Sequence, residues 1–279
     1  MKLSIFLFLF LLMNPPSYLV YDADGKQKDF DKLLKEAQKA DIILFGEFHN
    51  NSMCHWLQLQ LSKKLYESKQ KDLILAGEMF ETDDQLVVDE YLASQIKPAN
   101  FEKEAKLWDN YATDYKPLIE FAKSKQLTFV ASNVPRRYAA AVAAGGLESL
   151  EKFSPEAKSY MCTLPLEVDV NLPAYQNMLK MMGGHGSDNI IKAQALKDAT
   201  MASRIINYWQ KGKTVLHFNG AYHSDNYEGI VWYLKKQNPS LKILTISSLE
   251  LEDIEKFPEE KRQLADFIFA IPSDMTKTY

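Results

Sequence analysis

The chain has 279 residues, enough for one large domain or a domain carrying an insert. A formal net charge of −4 makes a reader of nucleic-acid phosphates, which is usually basic, the wrong class, so no nucleic-acid partner is expected. Apolar residues make up 46%, too many for a disordered chain, and two cysteines, Cys54 and Cys162, are too few for a disulfide scaffold.

The N-terminus comes first. Met1-Lys2 precedes the apolar run Leu3 to Met13, which ends in Asn14-Pro15-Pro16-Ser17. One positive charge, a short apolar core and helix breakers read as a signal peptide over residues 1–16. The run falls short of the roughly 20 apolar residues of a transmembrane helix. The expected location is therefore the periplasm or cell envelope. No cysteine follows the run to serve as a lipobox anchor. In an oxidising compartment Cys54 and Cys162 could form one bridge or remain two buried thiols.

Strands and helices then alternate. Tyr18 to Tyr21 predicts a short strand, with turn residues Asp22-Ala23-Asp24-Gly25 after it. Phe30, Leu33, Leu34 and Ala37 share a helical face. Ile42 to Phe45 is a strand, and Ser52 to Ser68 a helix. Leu73 to Gly77 is a strand that ends in Glu78-Met79-Phe80. Thr82 and Gln85 predict a capping box for a helix reaching about Ala93. A helix from Tyr115 to Lys125 leads to a strand from Thr128 to Ser132. From Arg137 to Tyr208 the strand signal disappears, and Gly183-Gly184 and Gly186 interrupt the helical pattern around His185. Strands return at Thr214 to Phe218 and Lys242 to Ile246, and Phe267 to Ala270 reads as a last edge strand. The predicted class is α/β: a mostly parallel sheet flanked by helices, with a smaller helical insert domain. Residues 17–136 and 210–279 would form the α/β domain and 137–209 the insert.

Two strands end alike. Ile42-Ile43-Leu44-Phe45 runs into Gly46-Glu47-Phe48-His49, and Val215 to Asn219 runs into Gly220-Ala221-Tyr222-His223. Open α/β sheets bind ligands at the carboxyl ends of their strands. Glu47, His49, Glu78, Asn133, Asn219 and His223 all fall just beyond predicted strands, so a parallel sheet gathers them at one mouth. Two chemistries suit the set. Its histidines and carboxylates could ligate a divalent metal. Alternatively, Glu47, His49, Glu78 and His223 could act as catalytic acid and base in a hydrolase. His217, inside a strand, reads as a satisfied core histidine, and His55 as packing beside Trp56. Arg136-Arg137 is a solvated face or an anion clamp.

Gly46-Glu47-Phe48-His49, Glu78-Met79-Phe80, Asn133-Val134-Pro135-Arg136, His185-Gly186, Gly220-Ala221-Tyr222-His223 and the helix Gln194 to Ala202 together resemble the ChaN-type haem-binding family, in the family's order. That resemblance implies a haem-binding protein of bacterial iron acquisition, with ferric haem held by tyrosine at a homodimer interface. It also implies a possible outer-membrane haem receptor as partner. No motif assigns the haem tyrosine; Tyr160 and Tyr175 in the helical insert and Tyr138 after the arginines are the candidates, each structural when read singly, with Arg136 or Arg137 meeting the haem propionates. The wider superfamily, with Tiki-type metalloproteases and erythromycin-esterase-like hydrolases, implies the runner-up: a metal-dependent or Glu/His hydrolase of an ester, lactone or peptide. The Tiki-type resemblance implies His49, Glu78 and His223 as the metal set.

Overall fold

A computed structural model describes residues 16–181 and 188–279. The expected signal segment, apart from Pro16, and His185 lie outside the described residues. Eight strands form one sheet: β1 Leu19–Asp22, β2 Gln27–Lys28, β3 Ile42–Glu47, β4 Leu73–Glu81, β5 Phe129–Asn133, β6 Thr214–Gly220, β7 Ile243–Leu251 and β8 Phe267–Pro272. Their spatial order is β2-β1-β8-β7-β3-β6-β4-β5. From β8 to β5 every pairing is parallel, while β1 runs antiparallel to both β2 and β8.

The α/β class read from the sequence is the class observed. The reason is visible in β3, where Ile43 and Phe45 enter the core on one face and Ile42 and Leu44 the core on the other. Unbroken apolar runs of this kind suit strands buried on both faces. Each such side chain, fully buried, contributes about 1.5–3 kcal/mol.

One face is covered by α1 Phe30–Ala37, α2 Ser52–Lys69, α3 Gln85–Leu92, α4 Pro98–Glu104 and α5 Lys116–Lys125. The other is covered by α6 Arg136–Gly145, α7 Pro155–Ser159, α8 Pro173–Met181, α9 Asp188–Tyr208 and α10 Ile230–Gln237. Residues 137–209 carry no strand among those described. Their helices share the core of the second face, with α9 packed on α6, α10 and β5. Among the described residues, no helix is long and apolar enough to cross a membrane.

Two local expectations need correction, and the open question of the cysteines is answered. The Phe267 strand is not an edge: it lies between β1 and β7, and β2 and β5 are the edges. Phe269 packs into the first core while Ile268 and Ala270 pack into a small third cluster, so both faces of β8 are covered. Thr82 and Gln85 form no capping box, because Thr82–Asp84 is a 3-10 turn. The Gln85 side chain instead donates to Phe129 O (3.0 Å) and accepts from Ala131 N (2.8 Å), tying α3 to β5. Cys54 and Cys162 are free thiols in the cores of opposite faces, too far separated by the sheet to bridge.

Candidate functional site at the strand ends

The parallel register brings the two Gly-x-x-His exits side by side: Gly46 pairs with Asn219 and Glu47 with Gly220. Both glycines are required by close approach. A Cβ on Gly46 would sit 2.8 Å from the Ala221 Cα, and one on Gly220 would sit 2.8 Å from His49 Nε2. Next to them, β4 loses register with β5 between Gly77 and Glu81. An irregularity of this kind re-aims side chains at a strand end, and here it lies where Glu78 reaches the amide N–H of Gly220 (2.8 Å).

Glu47 is the centre of the first network. Its Oε1 accepts from Tyr115 Oη (2.7 Å) and lies 3.0 Å from His49 Nδ1. Its Oε2 accepts from the Gln58 amide and lies 3.6 Å from His55 Nδ1. Tyr115 is delivered by a π-helical turn, Tyr111–Tyr115, a distortion frequent at functional sites. The same turn sets Asp114 3.4 Å from His55 Nε2. Asn51 begins α2 by accepting from Met53 N (3.0 Å) and Cys54 N (3.3 Å), which fixes the loop that carries His49. Burial pushes the Glu47 carboxyl up, but His55 and His49 outweigh it and hold it below the usual range. Burial likewise opposes charge on His49, and the bond to Glu47 with nearby Glu78 raises it nonetheless. The His49 ring meets Trp108 edge-on at 4.9 Å, keeps 37% of its side chain exposed and has Nε2 beside Gly220.

The second network is a buried ionic chain. His223 Nε2 lies 3.2 Å from Glu78 Oε1, and its Nδ1 bonds to Asp198. Tyr175 donates to the other Asp198 oxygen (2.7 Å), and the Gln194 amide lies 3.1 Å from His223 Nδ1. Burial alone would keep His223 neutral, but Glu78 and Asp198 hold it up at about 10. Burial would also push Glu78 up, yet the His223 charge holds it well below the carboxylate range. Both ring nitrogens of His223 are thus turned to carboxylates, which favours its charged form.

The metal set His49, Glu78 and His223 gains no support from this arrangement, in which both His223 ring nitrogens face carboxylates. Among the described residues no three His, Cys, Asp or Glu side chains are arranged to hold one.

Sequence reasoning brought Glu47, His49, Glu78 and His223 to one mouth, and the structure puts them there. His217 is a core histidine as read, set between Ser132 (2.8 Å) and Asn219 (3.1 Å), and burial lowers it to about 4. His55 is more than packing, since it joins the Glu47 network. Tyr115, Gln58, Asp114 and Asp198 were not singled out at all. Only Asp198 left a signal, as the lone acid among the buried alanines 195, 199 and 202 of α9.

The mouth opens into a cavity of about 530 Å³ bounded by Glu78, Trp108, Asn133, Arg136, Lys197 and Tyr279, among others. Against this geometry, the sequence profile of the haem-binding uptake family of the Tiki superfamily, ChaN, matches residues 33–234. The chain belongs to the ChaN family.

No curated protein matches the chain by sequence. Among solved structures it is similar to ChaN of Campylobacter jejuni, a protein described with cofacially bound haem. The TM-score is 0.66 at 20% identity, over 90% of this chain and 96% of that one. A succinoglycan biosynthesis protein gives a TM-score of 0.53 at 13% identity, over 88% of this chain and 91% of that one. The type III effector HopBA1 gives 0.50 at 13%, over 87% and 92%. These likenesses show a shared fold.

The three ChaN-type candidate tyrosines occupy different surroundings. Tyr175 is buried, and burial together with Asp198 pushes its phenol far up, which makes it a poor phenolate donor. Tyr138 is buried against Phe153, and its hydroxyl accepts from Arg137 (3.0 Å). Tyr160 is half-buried, and its hydroxyl makes no hydrogen bond among the described residues. Its carbonyl accepts from Thr82 (2.7 Å), which anchors it beside Glu81 and Asp83, the partners of Arg136 and Arg137.

Proposed function

We propose that this ChaN-family protein binds ferric haem in the helical layer, as an exported component of bacterial iron acquisition. Tyr160 is the ligand of choice among the three tyrosines, and the observation that carries this is its half-buried side chain, whose hydroxyl makes no hydrogen bond among the described residues. A tyrosine must give up its proton to ligate ferric iron; Tyr175 donates its proton to buried Asp198, and Tyr138 is buried in the core with its oxygen accepting from Arg137. The outer guanidinium nitrogens of Arg136 make no bond among the described residues, which leaves them for a propionate. Bound haem would supply a flat apolar face, and a second copy of the chain covering it would account for a homodimer. Presentation to an outer-membrane haem receptor follows from the same reading.

Titration of the chain with ferric haemin should give saturable binding with a tyrosinate charge-transfer band, and Tyr160→Phe should remove that band. An unchanged ferric spectrum in Tyr160→Phe would overturn the assignment. Sedimentation should show the mass doubling as haem is added.

A second reading rests on the Glu47–His49 pair. Glu47 fixes Nδ1 of His49 and leaves Nε2 beside Gly220 at the strand ends, the arrangement of a general base that takes a proton from water. The products would be those of ester, lactone or peptide hydrolysis. Turnover of 4-nitrophenyl esters that disappears in His49→Ala would support this reading, and equal turnover by both proteins would sink it.

A further inference from the structure

The chain beyond β8 leaves the sheet at its carboxyl edge and returns across the strand ends. Ser273 N donates to Leu251 O (2.9 Å). Further on, Lys277 pairs with Asn51 in an isolated antiparallel bridge, and Thr278 N donates to Asn50 O (3.0 Å). Lys277 Nζ also pairs with Glu250, which accepts from the Asn51 amide (2.6 Å). Residues 273–279 are thereby laid against the loop that carries His49, and Tyr279 borders the cavity together with Asn110 and Trp108. None of these residues is buried, and only Met275 packs against the apolar core. So little apolar burial leaves polar contacts to decide where the segment lies.

The contact that reaches the site is made by Thr278. Its hydroxyl donates to Asp114 Oδ2 (2.8 Å) in the π-helical turn. The same oxygen accepts from the Asn110 amide (2.7 Å) and lies 3.4 Å from His55 Nε2. Both of those groups also reach the carbonyl oxygen of His49, Asn110 at 2.7 Å and His55 at 3.1 Å. Thr278 therefore holds the His49 loop twice: directly at Asn50, and through Asp114 and Asn110 at the His49 carbonyl. Asp114 is buried, so an oxygen that loses the threonine finds little water to replace it.

We propose that residues 273–279 form a strap that positions His49, with Thr278 as its positioning residue. The strap joins the His49 loop to the turn that delivers Tyr115, so the two groups at Glu47 Oε1 are held in one geometry. Its catalytic consequence rests on the hydrolase reading, whereas the holding of the loop does not. Polar and exposed, the strap opens locally at less cost than the sheet beneath it.

Hydrogen exchange of the full chain, read by mass spectrometry, tests the strap without any substrate. The amides of Asn51 and Asp114 donate to Phe48 O (3.0 Å) and Asn110 O (2.9 Å), which makes residues 48–55 and 110–116 the reporters. In Thr278→Val these two segments should exchange about fivefold faster or more while β3, β6 and α9 stay unchanged, and Thr278→Ser should restore the native rates. Unchanged exchange in both segments, acceleration spread evenly through the chain, or no rescue by serine overturns the proposal. With 4-nitrophenyl esters, Thr278→Val should lower kcat by about tenfold with KM within about twofold of native, because a displaced His49 slows proton transfer while the cavity wall persists. An unaltered kcat overturns the catalytic consequence. A native protein without turnover removes the hydrolase reading alone, and exchange then decides the strap.

Discussion

Replacing His223 by Leu should cost about 3–5 kcal/mol of folding stability at neutral pH, because it strands two buried carboxylates. In the native protein the His223 ring lies between Glu78 and Asp198, each less than a tenth exposed. Its folded value is raised above the usual 6.5, so its contribution is complete below about pH 6.5 and is lost as pH climbs towards 10. Glu78 has the opposite sign. Its folded value is depressed, so its contribution is present above its usual 4.5 and is lost as pH falls through the folded value. The native protein should therefore melt at the highest temperature in the mildly acid range and weaken toward alkaline pH. His223→Leu reverses the slope expected of Glu78: a lone buried carboxylate favours its protonated form, so stability rises as pH falls. Thermal melts below about pH 5 separate the two cases: the native protein weakens as pH falls there, whereas the variant gains. A variant within about 1 kcal/mol of the native protein would contradict the ionic chain.

The second large effect belongs to Glu47. Glu47→Leu leaves the Tyr115 hydroxyl, the Gln58 amide and His49 Nδ1 facing an apolar side chain. Each abandoned buried donor costs about 1–3 kcal/mol, and removal of the shared acceptor should cost about 3–5 kcal/mol in chemical denaturation. Glu47→Gln keeps the shape but offers one acceptor where two served, so its loss should be smaller. In both variants the His49 titration followed by NMR should fall, since burial still opposes its charge while the hydrogen bond that raised it is gone. If the His49 titration stays where it was, Glu47 is not what tunes it.

The strand ends were legible because the physics there is local. Ile42 to Phe45 is apolar on both faces, as is Val215 to Phe218 apart from His217, and each run leads into a glycine followed three residues later by a histidine. Their common edge then follows from parallel pairing. The partners that tune them were not legible, since each comes from an element remote in sequence. Tyr115 arrives through a π-turn that no periodicity announces, and His55 is one polar residue among many in α2. Asp198 looks like a surface acid until α9 is laid on the sheet, where the Ala195–Ala199–Ala202 face turns inward and takes Asp198 with it. Tyr175 was picked as a haem candidate from its segment alone, whereas its hydroxyl belongs to Asp198. The error over β8 has the same origin: the pattern of an edge strand and that of an interior one differ only by what lies beside them.

That β8 sits inside the sheet sets the order in which the molecule can be assembled. The first strand, Leu19–Asp22, has its main partner in Phe267–Pro272, nearly the whole chain away. During synthesis β1 and its hairpin mate β2 emerge first and must wait, unpaired with the sheet, until the final strand is available. Closing so long a loop is entropically slow, and the sheet edge at β7 stays open meanwhile. A nascent or C-terminally clipped chain thus exposes two sticky strand edges at once, so the last dozen residues act as the latch that turns an aggregation-prone intermediate into a finished sheet.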